Sequence, residues 1–90
     1  MNWNKLSHEE TIKQFGIRLK QIRKELKLSQ VAVADKAGVS VVTISTLENG
    51  SGFSIDTLIR ILRVYGMIDR LEDLFQLPRK SLFQQFKDSK

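Results

Sequence analysis

The feature that most restricts the fold of this sequence is its punctuation around Gly38. A capping serine, Ser29, precedes the run Gln30 to Ala37, and a second, Ser40, follows the glycine almost at once. A serine side chain accepts from the free backbone N–H groups of a helix's first turn, and glycine takes the left-handed conformation that ends a helix. Between these marks there is room for one short helix and a tight turn. A further helix, Val41 to about Glu48, is closed by Asn49-Gly50. Ala34 is small where the two helices must approach, and Val39, Ile44 and Leu47 are spaced to anchor the second one from beneath.

The flanking segments read as helices as well. Ser7 and Glu10 have the spacing of a capping box, and Ile12, Phe15, Leu19, Ile22 and Leu26 then recur by threes and fours on one stripe. That first helix is expected to stop near Leu28. Ser54 caps a fourth helix with an apolar face of Ile55, Leu58, Ile59 and Leu62, ending near Tyr65-Gly66. A fifth, from about Ile68 to Gln76, is expected to bury Leu71, Leu74 and Phe75 before Pro78. No segment alternates with period two. The expected fold is all-α, a compact five-helix domain over 7–77, with an N-terminal arm at 1–6 and a short C-terminal tail at 78–90.

Ninety residues suit one small domain. The chain has no cysteine, which excludes disulfides, thiolate metal sites and cysteine nucleophiles, and stability must come from packing. With no long apolar run and no basic-then-apolar leader, the expectation is a cytoplasmic protein that does not engage a membrane. Fifteen Lys and Arg against ten Asp and Glu give a formal charge of +5, unevenly distributed. The segment Met1 to Ser29 carries seven bases (Lys5, Lys13, Arg18, Lys20, Arg23, Lys24, Lys27) and three acids (Glu9, Glu10, Glu25). From Phe53 to Gln76 acids prevail: Asp56, Asp69, Glu72 and Asp73 against Arg60, Arg63 and Arg70. A charge polarised in this way fits a one-sided surface for a polyanion.

Two short helices joined by a glycine turn, the second with small residues on its outer face, form a helix-turn-helix unit, whose second helix enters the DNA major groove. Gln30, Ala34, Gly38, Val39, Ile44, Leu47, Glu48, Asn49 and Gly50 make the region from about Phe15 to Phe75 resemble the lambda-repressor and Cro, or Xre-like, family. That resemblance implies a lambda-repressor-like domain acting as a transcriptional regulator, usually a repressor. It implies phosphate contacts from Gln30, with Ser29 beside it and Asn49 after the third helix. It also implies a bidentate ion pair between Arg23 and Glu48 that fixes the far end of the recognition helix.

The base-reading positions implied by the resemblance are Ser40, Val41, Val42, Ser45 and Thr46, with Thr43 also at the interface. The sequence departs from richer members here, because that face has no Arg, Gln or Asn to read guanine or adenine bidentately. What remains is methyl contact with thymine, hydroxyl contact, water and DNA shape. The loop Ser51-Gly52-Phe53-Ser54 is uncharged where relatives are basic, although backbone N–H groups near Ser54 offer a phosphate site.

One short recognition helix touches little DNA, so such domains usually bind as twofold dimers on half-sites about 34 Å apart. Tyr65, Met67, Ile68, Leu74 and Leu77 supply more apolar surface than a small core needs, and Leu82, Phe83 and Phe86 keep helical spacing in the tail. The expected dimer or partner surface is therefore C-terminal, the tail being either a lid on the domain's own core or a segment that orders on a partner. The chain also resembles HipB-type antitoxins in its small size, the absence of a ligand domain and the run Ser54-Ile55-Asp56-Thr57-Leu58 to Leu71. This second resemblance implies a toxin protein as partner and repression of its own operon. Catalysis is not expected: His8, the only histidine, sits beside Glu9 and Glu10 in a helix's first turn, and Glu72 and Asp73 fall on different helix sides. No cofactor or metal is expected.

Overall fold

The structure, a computed structural model, describes residues 1–77. It is all-α, with five α-helices and no strand among the described residues: α1 (His8–Glu25), α2 (Gln30–Ala37), α3 (Val41–Glu48), α4 (Ile55–Val64) and α5 (Leu71–Leu74). Single 3-10 turns lie at Trp3–Lys5 and Ile68–Arg70.

Side chains set the start of each long helix. Ser7 Oγ accepts from the Glu10 N–H at 3.1 Å while Glu10 Oε1 accepts from the Ser7 N–H at 3.1 Å, closing the capping box. Ser29, Ser40 and Ser54 accept in the same way from Ala32, Thr43 and Thr57. At the other end of α2, Gly38 sits at φ 71°, in the left-handed region that glycine enters without steric cost.

The core is formed by Leu19 of α1, Val33, Ala34 and Ala37 of α2, Ile44 and Leu47 of α3, and Ile61 and Tyr65 at α4 and its cap. Val39 lies partly buried against it. Helix α2 packs against both α3 and α4 around this cluster, and α1 lies across α3.

Four expectations from sequence are corrected. Helix α1 ends at Glu25 rather than near Leu28, because Lys27 adopts φ 58° and the N–H groups of Lys27 and Leu28 turn back to the carbonyls of Lys24 and Arg23. A left-handed lysine costs about 1 kcal/mol. The same reversal brings the Leu28 carbonyl to 2.9 Å from Arg23 Nη1, so the strain has a polar return. On α4, Ile55 is 69% exposed, and the inward line is instead Thr57, Ile61 and Tyr65, with Leu58 and Leu62 at its flank. Thr57 tolerates burial because its hydroxyl accepts from Ser54 Oγ at 3.0 Å.

The expected fifth helix shrinks to a 3-10 turn followed by one helical turn, in which Leu71 is half-buried while Leu74 and Phe75 are 70% and 74% exposed. The start of α5 has no side-chain cap, and a single turn fixes several dihedrals for very few hydrogen bonds. Finally, Tyr65 belongs to the core and not to a partner surface: position 65 falls one turn after Ile61 on the buried line. Met67 is half-buried against that same core, whereas Leu77 is exposed. Leu82, Phe83 and Phe86 lie outside the described residues.

Candidate nucleic-acid interface

Helix α3 is held from beneath by Ile44 and Leu47, both almost wholly buried, and this leaves its other side to solvent. Val42 is 73% exposed, Val41 and Ser45 are exposed, and Thr43 and Thr46 are half-buried at the edges. The surface is small, uncharged and mostly methyl and hydroxyl. Two of the candidate hydroxyls are already engaged within the helix. Ser40 Oγ caps the Thr43 N–H at 3.1 Å and lies 2.9 Å from Thr43 Oγ1, so each still offers only part of its bonding capacity outward.

The flanks of this face are polar. Ser29 is exposed and caps α2. Asn49 is also exposed, and its Oδ1 accepts from the N–H and the hydroxyl of Ser51 at 3.2 and 2.7 Å, which leaves its amide N–H donors pointing away from that turn. Gln30 is half-buried and reaches the C-terminal end of α3, where Nε2 donates to Glu48 Oε1 at 3.0 Å.

That end of α3 is where most of the polar bonding converges. Arg23 Nε donates to Glu48 Oε2 at 2.6 Å and Nη2 to Oε1 at 3.0 Å, a planar fork on a carboxylate, while Nη1 holds the Leu28 carbonyl. Both side chains are buried. Burial pushes the Glu48 carboxyl up, but the hydrogen bonds from Arg23 and Gln30 and the charges of Arg23 and Lys20 outweigh it and leave it below the ordinary 4.5. The bond to Glu48 likewise raises Arg23, so both groups are charged at neutral pH. Tyr65, under the pair, is pushed up to about 12, first by burial and then by the Glu48 charge.

Two glycines complete the clamp: Gly16, which had no role assigned from sequence, and Gly50, expected only to close the third helix. A Cβ on Gly16 would fall 2.5 Å from the Leu47 carbonyl oxygen and 2.8 Å from that of Glu48, so α1 crosses the last turn of α3 at backbone contact. Gly50, at φ 82°, would place its Cβ 2.6 Å from Lys13 Cγ. A glycine inside an otherwise good amphipathic helix was the available signal for Gly16, since it costs roughly 1 kcal/mol there unless close approach requires it.

Residues 19–72 match the family described as helix-turn-helix, more than half of the chain. The chain belongs to this helix-turn-helix family. The match runs from the buried Leu19 of α1 through α2, the Gly38 turn and α3 to Glu72 of α5, so it covers the Arg23–Glu48 pair as well as the two helices that name the family. None of the curated proteins matches the chain. Within this helix-turn-helix domain, α3 holds the position of the motif's second helix.

Proposed function

We propose that this helix-turn-helix protein is a sequence-specific double-stranded DNA-binding transcriptional regulator of the lambda-repressor and Cro type, acting as a repressor dimer with α3 as its recognition helix. The observation that carries the reading is the two-sidedness of α3. Its inner side is fixed by Ile44, Leu47 and the Arg23–Glu48 fork, and its outer side presents Val42 and Ser45 free of intramolecular contacts that would compete with DNA. In this reading Val41, Val42 and Thr46 meet thymine methyls and Ser40, Thr43 and Ser45 offer hydroxyls, so that water and DNA shape share the discrimination. Ser29, Gln30 and Asn49 flank the groove and address phosphates, which position the domain without reading sequence.

Binding to fragments of the protein's own upstream region, titrated with salt and with unrelated competitor DNA, tests the proposal. Selective binding with a steep salt slope supports it, and equal affinity for every fragment at every salt concentration contradicts it. A second, compatible reading is an antitoxin that also binds a toxin protein. It is favoured by the exposure of Leu74, Phe75 and Leu77 in succession at the end of the described chain. Co-purification of a kinase-like partner would support that reading, and undiminished function after removal of the tail would count against it.

A further inference from the structure

On another side of the domain, away from α2 and α3, lies an open apolar groove of about 620 Å³. Its floor and walls are Ile22 and Leu26 of α1 and Leu62 of α4, with Met67 and Leu74 along one edge and Trp3 at the other. Trp3 is fixed there edge-on against Phe15, which stacks on Phe53, and Arg18 lies 5.6 Å over the indole. The N-terminal arm thus forms part of the groove. An apolar concavity of this kind on a small domain calls for an occupant.

Three observations bear on which occupant. The described chain ends beside the groove, because Leu74 lines it and Leu77 follows three positions later. The residues beyond Pro78 include Leu82, Phe83 and Phe86, apolar at one-and-four spacing, within a segment bearing Arg79, Lys80, Lys87 and Lys90 against Asp88. The segment that borders the groove has a net opposite charge, Asp69, Glu72 and Asp73 against Arg70, while on the wall itself Glu25 is matched by Arg18. Leu82 is eight positions past Leu74, a reach of up to about 26 Å of extended chain, ample for a return to the groove.

We propose that the groove between α1, α4 and α5 is the seat of residues 79–90 of the same chain, with Leu82, Phe83 and Phe86 as its apolar anchors. A tether this short raises the effective concentration of the segment to about the millimolar range, which favours the chain's own tail over a second copy at ordinary protein concentrations. The seat uses none of the α3 surface, so it stands or falls independently of the DNA-binding proposal. It assigns to the tail a stabilising contact that covers Trp3.

Trp3 is the only tryptophan and the chain has no cysteine, which makes the test direct. Acrylamide quenching of Trp3 is compared between the full chain and its L82S/F83S/F86S variant, across a hundredfold range of protein concentration. The proposal expects the full chain to be quenched about half as strongly as the variant, with no dependence on concentration, since Trp3 is 40% exposed in the described structure and the tail would cover most of that. Equal quenching in the two proteins overturns it. Protection that grows with concentration also overturns it, and names a second copy as occupant. In an otherwise unaltered chain, Ser89→Cys carrying a dansyl acceptor should receive energy from Trp3, and excess unlabelled protein should leave that transfer unchanged. Absent transfer, or transfer lost on dilution with unlabelled chain, contradicts the seat even where the triple variant fails to fold.

Discussion

Replacing Glu48 with alanine removes the acceptor of both Arg23 bonds and of the Gln30 amide, and leaves the Arg23 guanidinium buried with one remaining partner, the Leu28 carbonyl. Breaking one side of a buried ion pair costs about 3–5 kcal/mol, mostly the desolvation of the stranded charge. A domain of this size has a total stability of roughly 5–13 kcal/mol, so the loss is a large share of it. At about 4–8 °C per kcal/mol, Glu48→Ala should melt some 12–40 °C below the parent by circular dichroism. Removing both charges, as in Arg23→Met with Glu48→Leu, should recover most of that loss, because an apolar pair of similar volume is about as stable as a buried salt bridge. The parent should also lose stability in acid. Glu48 has a folded pKa below its unfolded value, so below about pH 4.5 the unfolded chain holds more protons, and stability falls with pH until the folded carboxyl is itself protonated. In the variant this part of the acid loss is absent. Melting of Glu48→Ala within about 2 °C of the parent would refute the argument, since it would mean that Arg23 is well solvated without its partner.

The remaining predictions bear on the helix seat and its outer face. Gly16→Ala should destabilise by about 1–3 kcal/mol despite alanine's better helix propensity, because the new methyl meets the Leu47 and Glu48 carbonyls; urea unfolding showing a more stable variant would contradict the close crossing. Val42→Glu should abolish selective DNA binding in a gel-shift assay while changing stability by no more than about 0.5 kcal/mol, since the side chain is exposed. Gln30→Ala should weaken binding to all DNA sequences about equally and also lower the melting point slightly, as its bond to Glu48 is lost; an effect confined to one sequence would mean that Gln30 reads a base. Between pH 10 and about 12 the unfolded Tyr65 phenol ionises while the folded one does not, so the parent should lose stability over that window relative to Tyr65→Phe, as read from parallel melts.

The parts of the fold that were legible in the sequence are those decided within a few residues. Each serine cap is a local bond between a side chain and an amide three positions on, and each was visible as Ser7, Ser29, Ser40 or Ser54 before an apolar run. The left-handed Gly38 is of the same kind. What failed depends on contacts far apart in sequence. Ile55 has the spacing of a core residue, yet α4, packed against α2, buries Thr57, Ile61 and Tyr65 instead, and it is the packing of distant helices that decides between the two faces. The shortness of α5 and the reversal at Lys27 are likewise set by what lies beside them. In the site, Arg23 and Glu48 are 25 positions apart, and their pairing came from resemblance rather than from periodicity. That Gln30 joins them could not be read from its place in the sequence, because nothing local distinguishes an amide aimed at phosphate from one aimed inward.

The distribution of these contacts bears on how so plain a recognition face could discriminate between DNA sequences. With no Arg, Asn or Gln on α3's outer side, few bonds strong enough to pull the helix into register are available there. Methyl contacts and water bridges are short-ranged and lose value over fractions of an ångström, so discrimination would depend on where the helix is held rather than on how far its side chains reach. The fold concentrates its rigid contacts accordingly: backbone against backbone at Gly16, a two-point fork at Glu48, and Gly50 on Lys13, all within the last turn of α3 and the residues just after it. The first turn, by contrast, is held by the Ser40 cap and by the apolar packing of Ile44 and the preceding Val39. A helix whose backbone and ionic contacts lie at its C-terminal end, with apolar packing alone at Ile44 nearer its start, places Val41 and Val42 with little freedom to translate. Substitutions at the pinned end, though remote from any base, should therefore alter sequence preference more than their distance from the DNA would suggest.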